Sequence, residues 1–98
     1  MFEATVALDP HDAEVRNNYG LALIRADRIP EAVKELEQAL RLRPDYALAL
    51  RNLAGALVTL GRTAEAVTFY RRAVQLRPDD TELRAELEAA ERAQWQHP

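Results

Sequence analysis

The sequence predicts an all-α fold made of repeated helix pairs, and three observations lead to this prediction. Prolines recur at a fixed interval of 34 residues, at Pro10, Pro44 and Pro78, and a fixed interval of this size indicates stacked structural repeats. Apolar residues within each interval recur at steps of three and four, which places them on one face of a helix. Ala, Glu, Leu, Arg and Lys together exceed half of the 98 residues, as is typical of helical proteins.

The first predicted helix pair lies in residues 13–46, with helices over about 13 to 26 and about 30 to 42. Asp12 precedes the first helix as an N-cap, and Pro30 stands in the first turn of the second, where proline's missing N–H costs little. The apolar residues expected to be buried in this pair are Val15, Tyr19, Ala22, Leu23, Ala26, Val33, Leu36, Leu40 and Leu42.

The second predicted pair, residues 47–80, repeats this arrangement with helices over about 47 to 60 and 64 to 76. Thr63 is placed as a hydroxyl N-cap for the later helix. Gly61 is expected to adopt the left-handed backbone that ends a helix, and Asp27 stands at the matching place in the first pair. Small residues are expected where helices approach closely, at Gly20, Ala54, Ala32, Ala66, Ala39 and Ala73.

Both flanks of the two pairs carry partial repeats. Residues 1–12 match the end of a preceding second helix, in which Phe2, Val6 and Leu8 are the apolar residues. Residues 81–96 are predicted to form one capping helix, whose inner face is Leu83, Leu87 and Ala90. Glu88 and Glu91 stand where the earlier helices carry small or apolar residues, so this helix presents a polar end of the kind that stacked repeats need for solubility.

The 34-residue unit resembles the tetratricopeptide repeat family, whose pattern is W-x2-L-G-x2-Y, then A-x3-F, then P. The matching residues are Tyr19, Gly20, Leu23, Ala32, Leu36, Ala39 and Pro44, and then Leu50, Leu53, Ala54, Leu57, Ala66, Tyr70, Ala73 and Pro78. Arg16 departs from the pattern, because it replaces a large apolar residue, and is expected to leave that edge looser. The resemblance implies a right-handed superhelical solenoid of antiparallel helix pairs.

The resemblance also implies a concave groove lined by the first helix of each pair. The residues that this sequence places there are Glu14, Asn17, Asn18, Leu21, Ile24, Arg25, Leu48, Arg51, Asn52, Gly55, Val58 and Thr59. Asn18 and Asn52 match the asparagine ladder of arrays of the O-GlcNAc transferase type, in which side-chain amides bind the backbone of an extended peptide. The alternative is that these asparagines only serve the repeat structure. Glu86 occupies the third position of the ladder.

The residues of the groove also bear on two other possible functions, a clamp for carboxylate tails and a site for a partner helix. A clamp that binds the acidic carboxylate tail of a peptide needs cationic side chains. The positions that would carry this clamp hold Asn17, Leu21, Asn52, Glu82 and Glu86. The sequence therefore predicts no such clamp. Leu21, Ile24, Leu48 and Val58 either form an apolar stripe for a partner helix or pack on one another across the groove.

Composition excludes several function classes. With 13 basic and 16 acidic residues the chain carries a net charge of −3, which disfavours nucleic acid as a partner. Cys and Ser are absent, His11 and His97 have no metal-spaced partner, and no Gly-rich phosphate loop occurs. We therefore expect no catalytic residue, metal or cofactor.

No apolar run approaches the roughly 20 residues of a membrane span, and the start lacks a secretory signal, so a cytoplasmic location is expected.

The sequence thus predicts a non-catalytic module that binds a protein or peptide in its groove. Two alternatives are a substrate-recognition arm of a larger enzyme, such as a glycosyltransferase, and a self-assembly scaffold. A weak homodimer is also predicted, through Phe2, Val6 and Leu8 together with the stripe at Leu21, Ile24 and Leu48.

Overall fold

The computed structural model describes residues 11–95, which form five α-helices in sequence. These are α1 (Ala13–Arg25), α2 (Ile29–Leu42), α3 (Ala47–Thr59), α4 (Thr63–Leu76) and α5 (Thr81–Trp95). Each bound lies within one residue of its predicted place, so the helix predictions are confirmed. The predictions for Phe2, Val6 and Leu8, and the dimer that depends on them, lie outside the described residues.

The helices pack in chain order, and α1 also touches α3. Residues 26–28 and 60–62 are links too short to do anything but reverse the chain, so α1 with α2 and α3 with α4 are antiparallel hairpins. Residues 43–46 and 77–80 are similarly short links between helices that pack on each other, so the first helix of each pair and α5 run in the same direction. The largest fully buried side chains are Leu36, Leu50, Leu53, Leu57 and Leu83.

Close approach of α1 and α2 explains the glycine at position 20. A Cβ added to Gly20 would lie 2.7 Å from Cγ and 2.9 Å from Cδ2 of Leu36, which is closer than carbon atoms tolerate without movement. Ala54 stands 34 residues later and is fully buried, as are the four alanines predicted at helix crossings, Ala32, Ala39, Ala66 and Ala73. The predicted role of the small residues is confirmed.

Both hairpin turns use the same left-handed residue. Asp27 has φ of 61° and Gly61 has φ of 80°, as predicted for these two positions. In the first turn Arg28 N donates to Leu23 O at 2.8 Å, and in the second Arg62 N donates to Leu57 O, also at 2.8 Å. These bonds satisfy carbonyls at the helix ends that have no partner within the helix.

The helix starts agree with the sequence in two places and differ in one. Asp12 Oδ1 accepts hydrogen bonds from Glu14 N at 2.9 Å and Val15 N at 3.3 Å, and Pro30 lies in the first turn of α2. The predicted N-cap at Thr63 is wrong, because the helix already includes Thr63 and the capping position is Arg62, which makes no side-chain cap bond. Instead, Arg62 binds the Glu65 carboxylate through Nε and Nη2 at 2.8 and 2.7 Å.

Burial at the helix ends is lower than the apolar pattern predicts. Ala26 and Leu42 were expected in the core, but both are exposed. Each lies at the last turn of its helix or just beyond it, where the neighbouring helix no longer covers it. Val15, Tyr19, Ala22 and Leu40 are half-buried.

An ion pair closes the edge of the first hairpin, where Arg16 replaces the large apolar residue of the family pattern. Arg16 Nη1 donates to Glu35 Oε1 at 2.6 Å, and each side chain is 20% exposed. Glu35 of α2 thus supplies Arg16 with a partner that the repeat pattern does not specify, while the looser edge stays a prediction.

Candidate functional site

A groove runs across α1, α3 and α5, with α4 behind it. Its volume is about 320 Å³. The lining residues are Leu21 and Ile24 from α1, Arg51, Asn52, Gly55 and Ala56 from α3, Tyr70 from α4, and Glu86 from α5. Five of the residues predicted for the site are thus brought together here, namely Leu21, Ile24, Arg51, Asn52 and Gly55.

The asparagines are arranged differently from a simple ladder. Asn52 Nδ2 donates to Asn17 Oδ1 at 3.0 Å, and Asn17 is only 3% exposed, so Asn17 lies beneath the groove rather than on its surface. Asn18 is exposed. One N–H of Asn52 is therefore used to join α3 to α1, while its carbonyl oxygen and second N–H remain for other partners.

An ion pair links α3 to α5 at the other side of the groove. Arg51 Nε donates to Glu86 Oε1 at 2.9 Å, and Arg51 Nη2 donates to Glu86 Oε2. This bonding to Glu86 raises the pKa of Arg51, against the opposing effect of burial. Glu82 Oε1 lies 4.0 Å from Arg51 Nη2, and the Glu82 side chain is 81% exposed. Arg51, the one cation that residues 11–95 place in the groove lining, is thus already neutralised.

Gly55 leaves an opening above the hydroxyl of Tyr70. A Cβ added at Gly55 would lie 3.8 Å from Tyr70 Oη, so the absence of a side chain lets another molecule approach this hydroxyl. Burial raises the pKa of Tyr70, and the charge of Glu86 raises it further. The hydroxyl therefore keeps its proton and can donate a hydrogen bond as well as accept one.

The apolar residues of the predicted stripe have two different environments. Ile24 packs against the core, and Leu21 is half-buried. Leu48 is 40% and Val58 39% exposed, and both lie outside the groove lining. Arg25 is exposed in the last turn of α1. The four residues of the stripe therefore do not share one environment.

Sequence reasoning missed Tyr70 as a groove residue. The family pattern has an aromatic residue at this place, and the pattern alone assigns it to the core. The available signal was Gly55, because a glycine in the middle of a predicted helix weakens that helix by about 1 kcal/mol relative to alanine and so points to a packing or functional reason for the missing side chain.

Residues 11–95 contain neither a membrane-spanning helix nor a metal-binding cluster. None of the helices in this part of the chain is long and apolar enough to span a bilayer. Within the same residues, no three His, Asp or Glu side chains come together as a group that could hold a metal ion.

Solved structures share this fold over nearly the whole chain. The first TPR of Spaghetti (RPAP3), bound to the HSP90 peptide SRMEEVD, has a TM-score of 0.90 at 24% identity, covering 94% of this chain and 73% of that one. A crystal structure of MamA gives 0.88 at 22% identity, covering 95% and 54%. The second TPR domain of human RPAP3, in complex with the HSP70 peptide SGPTIEEVD, gives 0.84 at 24% identity, covering 92% and 75%.

These likenesses establish the fold, a solenoid of antiparallel helix pairs, while this chain spans only about half the length of MamA. The family model of the tetratricopeptide repeat matches residues 1–36 and 20–81. The matched segments cover both hairpins, including the close approach at Gly20 and the turns at Asp27 and Gly61. This chain therefore belongs to the tetratricopeptide repeat family.

Proposed function

We propose that this chain is a non-catalytic protein-interaction module that holds a peptide or partner helix in the groove across α1, α3 and α5. The observation that carries the proposal is the opening at Gly55, beneath which the Tyr70 hydroxyl faces the groove with the Asn52 amide nearby. Both groups can bond a peptide backbone without reading its side chains. Leu21 and Ile24 provide apolar surface beside them.

Of the two asparagines in the predicted ladder, the proposal uses Asn52, with the amide atoms that are not bonded to Asn17. Its bond to Asn17 fixes the orientation of the amide, which lowers the entropy lost when a ligand binds. Asn18 is exposed on α1 and is not among the residues that line the groove, so the proposal rests on Asn52 alone.

The proposal does not extend to the acidic peptides bound by the RPAP3 domains. Arg51 is paired with Glu86, and Glu82 adds a carboxylate that is 81% exposed. A carboxylate tail entering here would meet like charge, which disfavours binding. We expect the peptide SRMEEVD to show no binding to this chain in an isothermal titration, and submillimolar affinity would contradict this part of the proposal.

The proposal is tested by filling the groove. Random linear dodecapeptides displayed on phage are selected on the 98-residue protein, and the enriched peptides are synthesised and titrated by fluorescence anisotropy. Gly55→Gln places a neutral side chain over Tyr70, and we expect it to weaken these peptides about tenfold or more, by excluding them from the floor of the groove.

Glu37→Gln is the matched control, since Glu37 is exposed on α2, away from the groove. Circular dichroism melts of both variants establish that they fold. Amide shifts in a nitrogen-15 spectrum should cluster on α1, α3 and α5 when peptide is added. Shifts confined to α2 and α4, or equal affinity of both variants, would contradict groove binding.

Further parts of the proposal concern the chain as a whole. We propose that residues 13–46 and 47–80 are its two complete repeats, with residues 1–12 as the end of a half repeat and residues 81–96 as a cap. The exposed Glu88 on α5 supports the cap. We also propose that the protein acts in the cytoplasm and carries no catalytic residue, which its lack of Cys and Ser supports.

A further inference from the structure

The side-chain links from α1 to α3 and from α3 to α5 use the same two positions of the repeat but differ in chemistry. Asn17 and Arg51 are 34 residues apart, as are Asn52 and Glu86. Between α1 and α3 the link is the amide hydrogen bond from Asn52 to Asn17. Between α3 and α5 it is the ion pair of Arg51 with Glu86. The first link is therefore neutral and the second is charged.

The charged link lies where a ligand in the groove would meet it. Arg51 and Glu86 both line the groove, and each side chain is 31% exposed. Asn17, by contrast, is almost completely buried beneath the groove. Water and salt screen a partly buried ion pair less than an exposed one. A molecule in the groove is therefore sensitive to how the charges of Arg51 and Glu86 are paired.

Glu86 occupies the part of Arg51 that a ligand carboxylate would use. A guanidinium binds a carboxylate most strongly through two parallel N–H groups, and Glu86 accepts from Nε and Nη2 of Arg51 in this way. Because the fold holds Glu86 beside Arg51, its carboxylate competes at an effective concentration that a dilute ligand does not match. Glu82 lies beyond hydrogen-bonding distance, since its Oε1 is 4.0 Å from Nη2 and 81% of its side chain is exposed.

We infer that Glu86 determines which ligands the groove accepts, by acting as a built-in carboxylate on Arg51. A ligand carboxylate is excluded because its place on the guanidinium is filled, and the partner meets this ion pair with uncharged groups such as peptide amides. The Asn52 amide and the Tyr70 hydroxyl, which line the same groove, can bond such groups as donors and acceptors. The inference rests on the proposed function, because it names the chemistry of the partner that the groove holds.

The test compares the peptide SRMEEVD with its neutral analogue SRMQQVN-amide, in which every carboxylate is replaced by an amide. Nitrogen-15 spectra follow the titration of each peptide into the 98-residue protein. We expect Glu86→Ala to bind SRMEEVD at least about tenfold more tightly than the unmodified protein does, since charge-assisted bonds to Arg51 become available. The Nε–H signal of Arg51 should shift with SRMEEVD in this variant only. The affinity for SRMQQVN-amide should change little.

Glu82→Ala is the matched control, because it removes the same charge close to the same guanidinium without removing a hydrogen bond. It should leave the affinity for SRMEEVD nearly unchanged. Adding Arg51→Gln to Glu86→Ala should abolish the gain. Circular dichroism melts establish folding, and Glu86→Gln, which keeps the side-chain volume but not the charge, takes the place of Glu86→Ala if that variant is unfolded.

Two results would overturn the inference. An equal gain in Glu82→Ala and Glu86→Ala would mean that net charge alone excludes SRMEEVD, and no gain in either variant of Glu86 would mean that Arg51 is not the group being protected. The proposed function stands in both cases, because it is judged by the binding of phage-selected peptides to the unmodified protein. Failure of those peptides to bind in the groove would overturn the proposed function, whatever SRMEEVD does.

Discussion

Asn52 of α3 donates a hydrogen bond through Nδ2 to Oδ1 of Asn17 on α1, across 3.0 Å. Asn17 is almost completely buried, so this bond satisfies a polar group that water cannot reach. The two asparagines are 35 residues apart, one more than the repeat interval. The bond therefore joins non-equivalent positions of successive pairs and holds the first helices of those pairs together.

Replacing Asn52 should consequently affect stability as well as binding. We expect Asn52→Ala to lower the free energy of unfolding by about 1–3 kcal/mol, because it leaves the buried Asn17 carbonyl without its donor. Asn18→Ala should change the free energy by less than about 0.5 kcal/mol, since Asn18 is exposed. Urea denaturation followed by circular dichroism measures both values. Equal effects of the two substitutions would show that the Asn17–Asn52 bond contributes nothing to stability.

The ion pair between Arg16 and Glu35 gives a second prediction about stability. Because both side chains are only 20% exposed, replacing Glu35 removes a charge-assisted hydrogen bond from a half-buried arginine. We expect Glu35→Ala to lower the free energy of unfolding by about 1–2 kcal/mol. The double variant Arg16→Leu with Glu35→Leu should recover most of this loss, since apolar side chains of similar volume often replace such pairs without cost. A double variant that is less stable than Glu35→Ala alone would contradict this account.

The fold was predictable because each feature that determines it repeats along the chain. Pro44 and Pro78, Asp27 and Gly61, and the alanines at the helix crossings each occur once per interval, so a local preference in one pair is supported by its counterpart in the other. Helix bounds follow from these residues directly. The apolar pattern was less informative at helix ends, where Ala26 and Leu42 are exposed because the neighbouring helix does not extend over them.

The site was less predictable because the residue types at its contact positions change from one repeat to the next. Arg51 binds Glu86, whereas the same two positions one interval earlier hold Asn17 and Asn52, which share an amide hydrogen bond. Arg16 binds Glu35, and the equivalents of that pair one interval later are the apolar Leu50 and Phe69. Such contacts depend on the side-chain directions of two different helices, which a 34-residue pattern does not specify. The repeat pattern therefore predicts the surface on which the groove lies, whereas the pairing of its charges and the opening over Tyr70 depend on how the helices pack.

The pH dependence of stability should include a contribution from the two equivalent pairs at the starts of α2 and α4. Hydrogen bonding to Arg28 lowers the pKa of Glu31 from its ordinary value of 4.5, and Arg62 does the same for Glu65. A carboxyl group with a lowered pKa in the folded state stabilises the fold above its unfolded pKa, and this contribution is lost as the pH falls through the folded pKa.

We therefore expect stability to decrease as the pH falls below about 4.5, and less steeply in the double variant Arg28→Gln with Arg62→Gln. Urea midpoints measured between pH 7 and pH 3 give the two slopes. Arg92→Gln, which alters an exposed arginine on α5, is the control and should follow the unmodified protein. Parallel curves for the double variant and the unmodified protein would exclude a contribution from these pairs.

The two glycines on the first helices should respond oppositely to the same substitution. Alanine at Gly20 would place Cβ 2.7 Å from Leu36 Cγ, and Leu36 is fully buried, so the helices must separate or Leu36 must leave its rotamer. We expect Gly20→Ala to lower the free energy of unfolding by about 1–3 kcal/mol through overpacking.

Alanine at Gly55 meets only Tyr70 Oη, at 3.8 Å, which is an ordinary contact. Gly55→Ala should therefore raise the free energy by about 0.5–1 kcal/mol, the gain in helix propensity over glycine. Thermal and urea denaturation of both variants tests the pair. Stabilisation by Gly20→Ala would mean that α1 and α2 do not pack as closely as the contact with Leu36 requires.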